Sequence, residues 1–170
     1  DIVVALLDGR AGPSLEAEPL RLAAANASAT VTLTFIDHHV PGDRIIAIQP
    51  FDEWQTADRS SLRLNGSLAL GVAGRCASLL DSDYFGAKVQ ACRVALDLAA
   101  PEDAPVARAC ASELAMHLAT ALVVTGGGRS ITMENHAQRL AREALFLLVF
   151  GQTPAIKAAQ VQHLYDESHG

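Results

Sequence analysis

The stretch ELAMHLATALVVTGGGRSITMENHAQRLAREA, residues 113–144, decides the fold. It opens as an apolar run of helical character and stops at Gly126, Gly127 and Gly128. Consecutive glycines end a helix because each has more backbone freedom to lose than any other residue. A helix-like pattern then resumes, so the stretch reads helix, short loop, helix. The same reading extends outward. Upstream, PEDAP (residues 101–105) separates a helix over about 104–124 from one over about 84–99, which Asp81-Ser82-Asp83 precedes as a capping signal. Before that, a helix over about 56–80 carries Leu62, Gly66, Ala69, Leu70 and Ala73 on one stripe, whose small residues allow close helix approach. Downstream, a helix over about 134–150 ends at Gly151. Thr153 and Pro154 then read as the N-cap and first turn of a fifth, over about 154–165.

Before Trp54 the pattern changes to strands. DIVVALLD is an apolar run followed by the turn signal GRAGP, and EPLRLAAA follows. ATVTLTFID alternates in period two, with Val31, Leu33 and Phe35 on one face and Thr30, Thr32 and Thr34 on the other. VPGD is a turn and RIIAIQPF a further short strand. The expected fold is α+β: a partial antiparallel β-domain (1–53), an up-down helical bundle (54–165) and a polar tail (166–170).

Hydrophobic residues make up 50% of the 170, charged residues only 19% and aromatics 5%. That surplus predicts a large core or a subunit interface. The net charge of -6 argues against nucleic acid as the main partner. No apolar run is expected to span a bilayer, and no signal peptide opens the chain. Asp1 runs straight into IVVALL, which reads as the interior of a larger protein. Cys76, Cys92 and Cys110 show no CxxC spacing and read as buried free thiols of a reducing, cytoplasmic compartment. His38 and His39 beside Asp37 read as a turn-flanking surface pair. His117, His136, His163 and His169 are scattered, so no metal site is expected. TGGGRS, residues 125–130, follows a helix and lacks the Lys-Ser/Thr of a phosphate-binding loop, which leaves a helix cap or a backbone open to a ligand. Arg139, Arg142 and Glu143 read as a solvated or ion-paired helix face, and Asp58, Arg59 and Arg63 likewise.

Taken in order, these stretches resemble the acyl-CoA dehydrogenase family. ASATVTLTFIDHHVPGDRII is similar to the second half of that family's middle β-domain, and LALGVA (residues 68–73) to the first helix of its C-terminal bundle. The 113–144 stretch resembles the family's run into a Gly-Gly loop and a helix ending in Arg-Asp-Ala, here Arg142-Glu143-Ala144. The resemblance implies oxidation of acyl-CoA thioesters with FAD, and an oligomer of this chain or a partnership with a related dehydrogenase subunit. It also implies a general-base Glu, which in family register falls on Gly151, or in a known alternative location on Ser61. Neither residue accepts a proton at neutral pH, so no catalytic residue is expected and the chain alone is expected to be inactive. The family's Arg-x-x-Phe-Gly element survives only as Tyr84-Phe85-Gly86, and Val124 replaces the Gln before the Gly-Gly loop. What the resemblance leaves for flavin contact is Gly127, Gly128 and Thr153. The alternative it implies is a non-catalytic structural or partner subunit.

Overall fold

The computed structural model describes residues 1–167, with side chains for all of these except 56–60 and 167. Asp58, Arg59 and the end of the tail, including His169, therefore lie outside the described side chains. The chain divides after Asp58 into two compact units. It is α+β, with two small antiparallel sheets and a majority of helix.

The first unit holds four strands in two ribbons. Strand β1 (Ile2–Ala5) pairs with β4 (Ile45–Gln49), with a bulge between Val4 and Ala5. Strand β2 (Leu15–Pro19) pairs with β3 (Val31–Phe35), Leu15 opposite Phe35. The EPLRLAAA segment is not the strand it was expected to be. Only Glu18 and Pro19 belong to β2, and the chain then turns through Asn26, whose side chain exchanges hydrogen bonds with the Leu22 backbone. Asx groups that satisfy local backbone compete with ladder formation. The alternation in β3 is present, yet all five of its residues are exposed. Among the described side chains of this unit, Leu15 and Ala24 are the buried apolar ones, so its ribbons cover little of their own apolar surface.

Helix α1 spans Phe51–Leu79, starting earlier than expected because Pro50 ends β4 and Asp52 and Glu53 suit a first helical turn. Helix α2 (Asp83–Leu98) is capped by Ser82, whose hydroxyl accepts from the Phe85 N–H. Helix α3 (Ala104–Gly126) ends at Gly127, where φ is 61° and the N–H turns back to Val123 and Val124. A short 3-10 turn over Gly127–Ile131 leads to α4 (His136–Val149), capped by Asn135. Helix α5 (Pro154–Glu167) is capped by Thr153, whose hydroxyl accepts from the Ile156 N–H.

The core of this unit is built from alanine. Ala69, Ala73 and Ala77 of α1, Ala111, Ala115 and Ala119 of α3, and Ala144 of α4 are buried with Leu70, Leu118, Leu140 and Leu147. Ala at spacings of four clears one helix face, so neighbouring backbones approach closely. Gly66 serves the same end: a Cβ there would sit 2.6 Å from Leu96 Cδ2. A smaller cluster joins Leu62, Ala109 and Ile156. Helix α3 contacts α2, α4 and α5. Contrary to expectation, the segment Ala104–Ile131 is long and apolar enough to cross a bilayer by length and composition. A helix enclosed by neighbours passes the same test, and α3 buries seven residues, one of them an arginine.

Candidate functional site

Two of the clefts in the helical unit lie at opposite ends of α4. The first surrounds the glycine turn. It has a volume of about 470 Å³, and its lining includes Leu79, Leu80, Leu122, Gly126, Ser130 and His136. Gly126 lets Ser130 fold over it: a Cβ at Gly126 would lie 2.2 Å from Ser130 Oγ. Ser130 is 1% exposed and its hydroxyl has no hydrogen-bond partner. Gly127 and Gly128 have open space where side chains would stand, so a ligand can reach their backbone.

The second cleft lies where α5 turns back from α4, with an angle of 120° between the two helices. Its volume is about 600 Å³ and it is lined from α3, α4 and α5, including Glu113, His117, Leu148, Lys157 and His163. The corner beside it is closed by an unusual capping arrangement. The last carbonyls of a helix have no intrahelical partner, and here each from Phe146 to Phe150 has one. Phe146 accepts from the Phe150 N–H at 3.0 Å, and Val149 from the Gln152 N–H at 3.1 Å. Leu148 accepts from Gln160 Nε2 at 3.0 Å. Leu147 and Phe150 accept from Arg108 Nη2 at 2.7 and 3.2 Å. Gln160 also donates to Ser112 and accepts from Gln152. Arg108 is 1% exposed, and burial lowers its pKa from the ordinary guanidinium value. Its Nε and Nη1 have no partner. Sequence reading missed Arg108 and Gln160, because nothing local marks a residue that caps a helix end some forty positions away, as Arg108 does, or twelve positions back across a corner, as Gln160 does.

The residues singled out from sequence are not brought together. Gly127 and Gly128 lie before the start of α4 and Thr153 lies after its end. Those 14 residues amount to about 21 Å of rise. The Thr153 hydroxyl is occupied as the α5 cap. Gly151 stands at the corner with φ 62°, and a Cβ there would lie 2.6 Å from Asn65 Nδ2. Ser61 is half-buried on α1, one turn before Asn65 and so on the same helix side.

The thiols differ from expectation: Cys76 is buried, Cys92 half-buried and Cys110 exposed. In the first unit, His38 shares a 2.9 Å hydrogen bond with Ser14 and meets the Phe35 ring edge-on. Arg139 pairs with Glu143 along α4, and Arg63 pairs with Asp97 across α1 and α2 at 2.8 Å.

No family model matches the chain, and no curated protein matches it. Nineteen solved chains match. One is an electron transferring flavoprotein of Acidaminococcus fermentans, described in work on flavin-based electron bifurcation. It aligns over 95% of this chain and 52% of its own, with a TM-score of 0.73 and 19% identity. This chain thus spans about half the length of that structure, and the likeness is one of fold. The match corrects the resemblance to acyl-CoA dehydrogenases, since the aligned structure is described as an electron transferring flavoprotein and no family model supports the other assignment. The motifs behind the resemblance are helix stops, small-residue stripes and a capped corner. They record how helices pack, and not which reaction is run. With the resemblance goes the ground for reading Gly151 and Ser61 as vacated base positions.

Proposed function

We propose that this chain is part of a flavin-dependent electron-transfer protein, in which it supplies a helical platform for the cofactor and a surface for a partner subunit. The observation that carries this is the fold likeness to a flavoprotein over nearly the whole chain. The glycine-turn cleft is where the flavin ring would sit. Its lining combines Leu79, Leu80 and Leu122 with the polar Thr125, Glu134 and His136, its volume of about 470 Å³ suits a small-molecule site, and the Ser130 hydroxyl is unpartnered. Gly126 and Ser130, which line the cleft, would hold the ring edge of FAD, with the open backbone of Gly127 and Gly128 beside it. Bound flavin supplies the electron-accepting chemistry, and these residues supply contact and exclusion of water. Thr153 would touch only a distant part of an extended dinucleotide, or one held by another copy.

A partner role is supported by the apolar side chains left at the surface of the helical unit, among them Leu98 (80% exposed), Val124 and Ile131 (73% each). The cytoplasm suits three free thiols. The test is gel filtration of the chain after incubation with FAD. Flavin absorbance should co-elute with protein, and Ser130→Ala and Gly128→Val should reduce the bound fraction. Flavin eluting entirely free of the protein would end this reading.

A further inference from the structure

A second site stands apart from the glycine turn. Cys110 and Glu113 are three residues apart on α3 and share a face. His163 comes across from α5. The Cys110 sulfur, a Glu113 oxygen and a His163 ring nitrogen all lie within 4.8 Å of one another. His163 Nδ1 and Glu113 Oε2 share a hydrogen bond of 2.8 Å. The other oxygen of that carboxylate, Glu113 Oε1, is buried and accepts no hydrogen bond. An orphaned buried acceptor bears the full cost of losing water, and a cation beside it would remove that cost.

We propose that Cys110, Glu113 and His163 form a binding site for a borderline divalent cation of the Zn²⁺ class. Thiolate, imidazole and carboxylate together are the ligand set such an ion prefers, whereas Mg²⁺ and Ca²⁺ take oxygen alone. The charges close: a dication with one thiolate and one carboxylate is neutral, which suits a half-buried position. A tetrahedral ion with bonds of about 2.0–2.3 Å sets its ligand atoms roughly 3.5 Å apart. The present triangle has one side of 2.8 Å and none above 4.8 Å, so each side is within about 1.3 Å of that, the scale of a rotamer adjustment. The His163–Glu113 contact would open slightly as the ion takes the place of the shared proton. Cys110 is exposed, which gives the ion a way in. Three protein ligands leave a fourth position, and both Glu113 and His163 line the 600 Å³ cleft that also holds Met116, His117 and Val161. An exchangeable water or a small ligand would occupy it.

The test is titration of the reduced, metal-stripped chain with Co²⁺, which reports tetrahedral thiolate sites by its visible d–d bands and its sulfur-to-cobalt charge-transfer band. The expected result is saturation at one ion per chain, with the bands bleached by Zn²⁺. Cys110→Ser should abolish the charge-transfer band, and His163→Asn or Glu113→Gln should weaken binding by more than about 100-fold. His117→Ala, in the same cleft but outside the cluster, should leave binding unchanged. Far-ultraviolet circular dichroism checks that each variant is folded. Absence of the bands with excess cobalt, or a folded Cys110→Ser variant that keeps the charge-transfer band, overturns the proposal.

Discussion

Replacing Arg108 by Met tests the capping of α4 directly. The variant loses two charge-assisted hydrogen bonds, at 2.7 and 3.2 Å, to the carbonyls of Leu147 and Phe150. Bonds to charged groups are worth about 1.5–3 kcal/mol each, and the longer one belongs at the low end. The positive charge at the helix C-terminus contributes about 1 kcal/mol more. Against this stands relief: the two unpartnered nitrogens of Arg108 cost about 1 kcal/mol or more each while they stay buried. The carbonyls win, because the substitution transfers the unmet hydrogen bonding to them instead of removing it. The expected net loss is about 2–4 kcal/mol, read as a lowered urea midpoint at unchanged slope, by roughly 1–2 M for a slope of about 2 kcal/mol/M. Arg108→Lys, whose ammonium lacks the planar fork, should fall between wild type and Met. A Met variant as stable as wild type, or more so, would mean that water caps these carbonyls equally well, and the accounting would fail.

Other expectations follow from single contacts. Gly151→Ala should cost about 1–2 kcal/mol for the left-handed backbone alone. Asn65→Ala should relieve the part due to the 2.6 Å approach of Asn65 Nδ2, so a double-mutant cycle by urea denaturation should be less than additive. Gly66→Ala gains helix propensity but drives a methyl into Leu96, and a net loss of about 1–2 kcal/mol in thermal or urea unfolding is expected. Burial, and then the Glu143 charge, push the Cys76 thiol up to about 11 from 9.0. The folded form therefore keeps its proton where the unfolded chain ionises. Stability is full below about pH 9 and falls as pH rises towards about 11, by about 2–3 kcal/mol in all. Urea titrations across that window should show the fall, and Cys76→Ala should remove the Cys76 share. An identical pH dependence in the variant would contradict the assignment.

The helical unit was legible because its signals are local. Ser82 and Thr153 cap the helices they precede, and Gly127 ends the one it follows. The stripe through Gly66, Ala69 and Ala73 lies buried as its spacing indicates. What could not be read was long-range. Arg108 meets the end of α4, and His163 meets Glu113 fifty residues away. A helical face tells which side is buried, not which neighbour it finds. The same limit explains the β3 strand: its alternation indicates an apolar face but not whether this chain covers it. The family resemblance failed for a related reason, since packing signals recur in any fold that stacks alanine-rich helices.

The ribbons of the first unit carry a preparative consequence. Each two-stranded sheet has two free edges, and an uncovered edge is a template for adding strands. The β4 segment IIAIQ has no charge and no proline within it, and Ile46 and Ile48 are 62% and 61% exposed. That composition favours self-association into cross-β stacks. Arg44 before it and Asp52 after it are the flanking charges that oppose such stacking. Solubility of this chain in isolation thus depends on concentration and ionic strength, since salt screens the few charges that keep these edges apart.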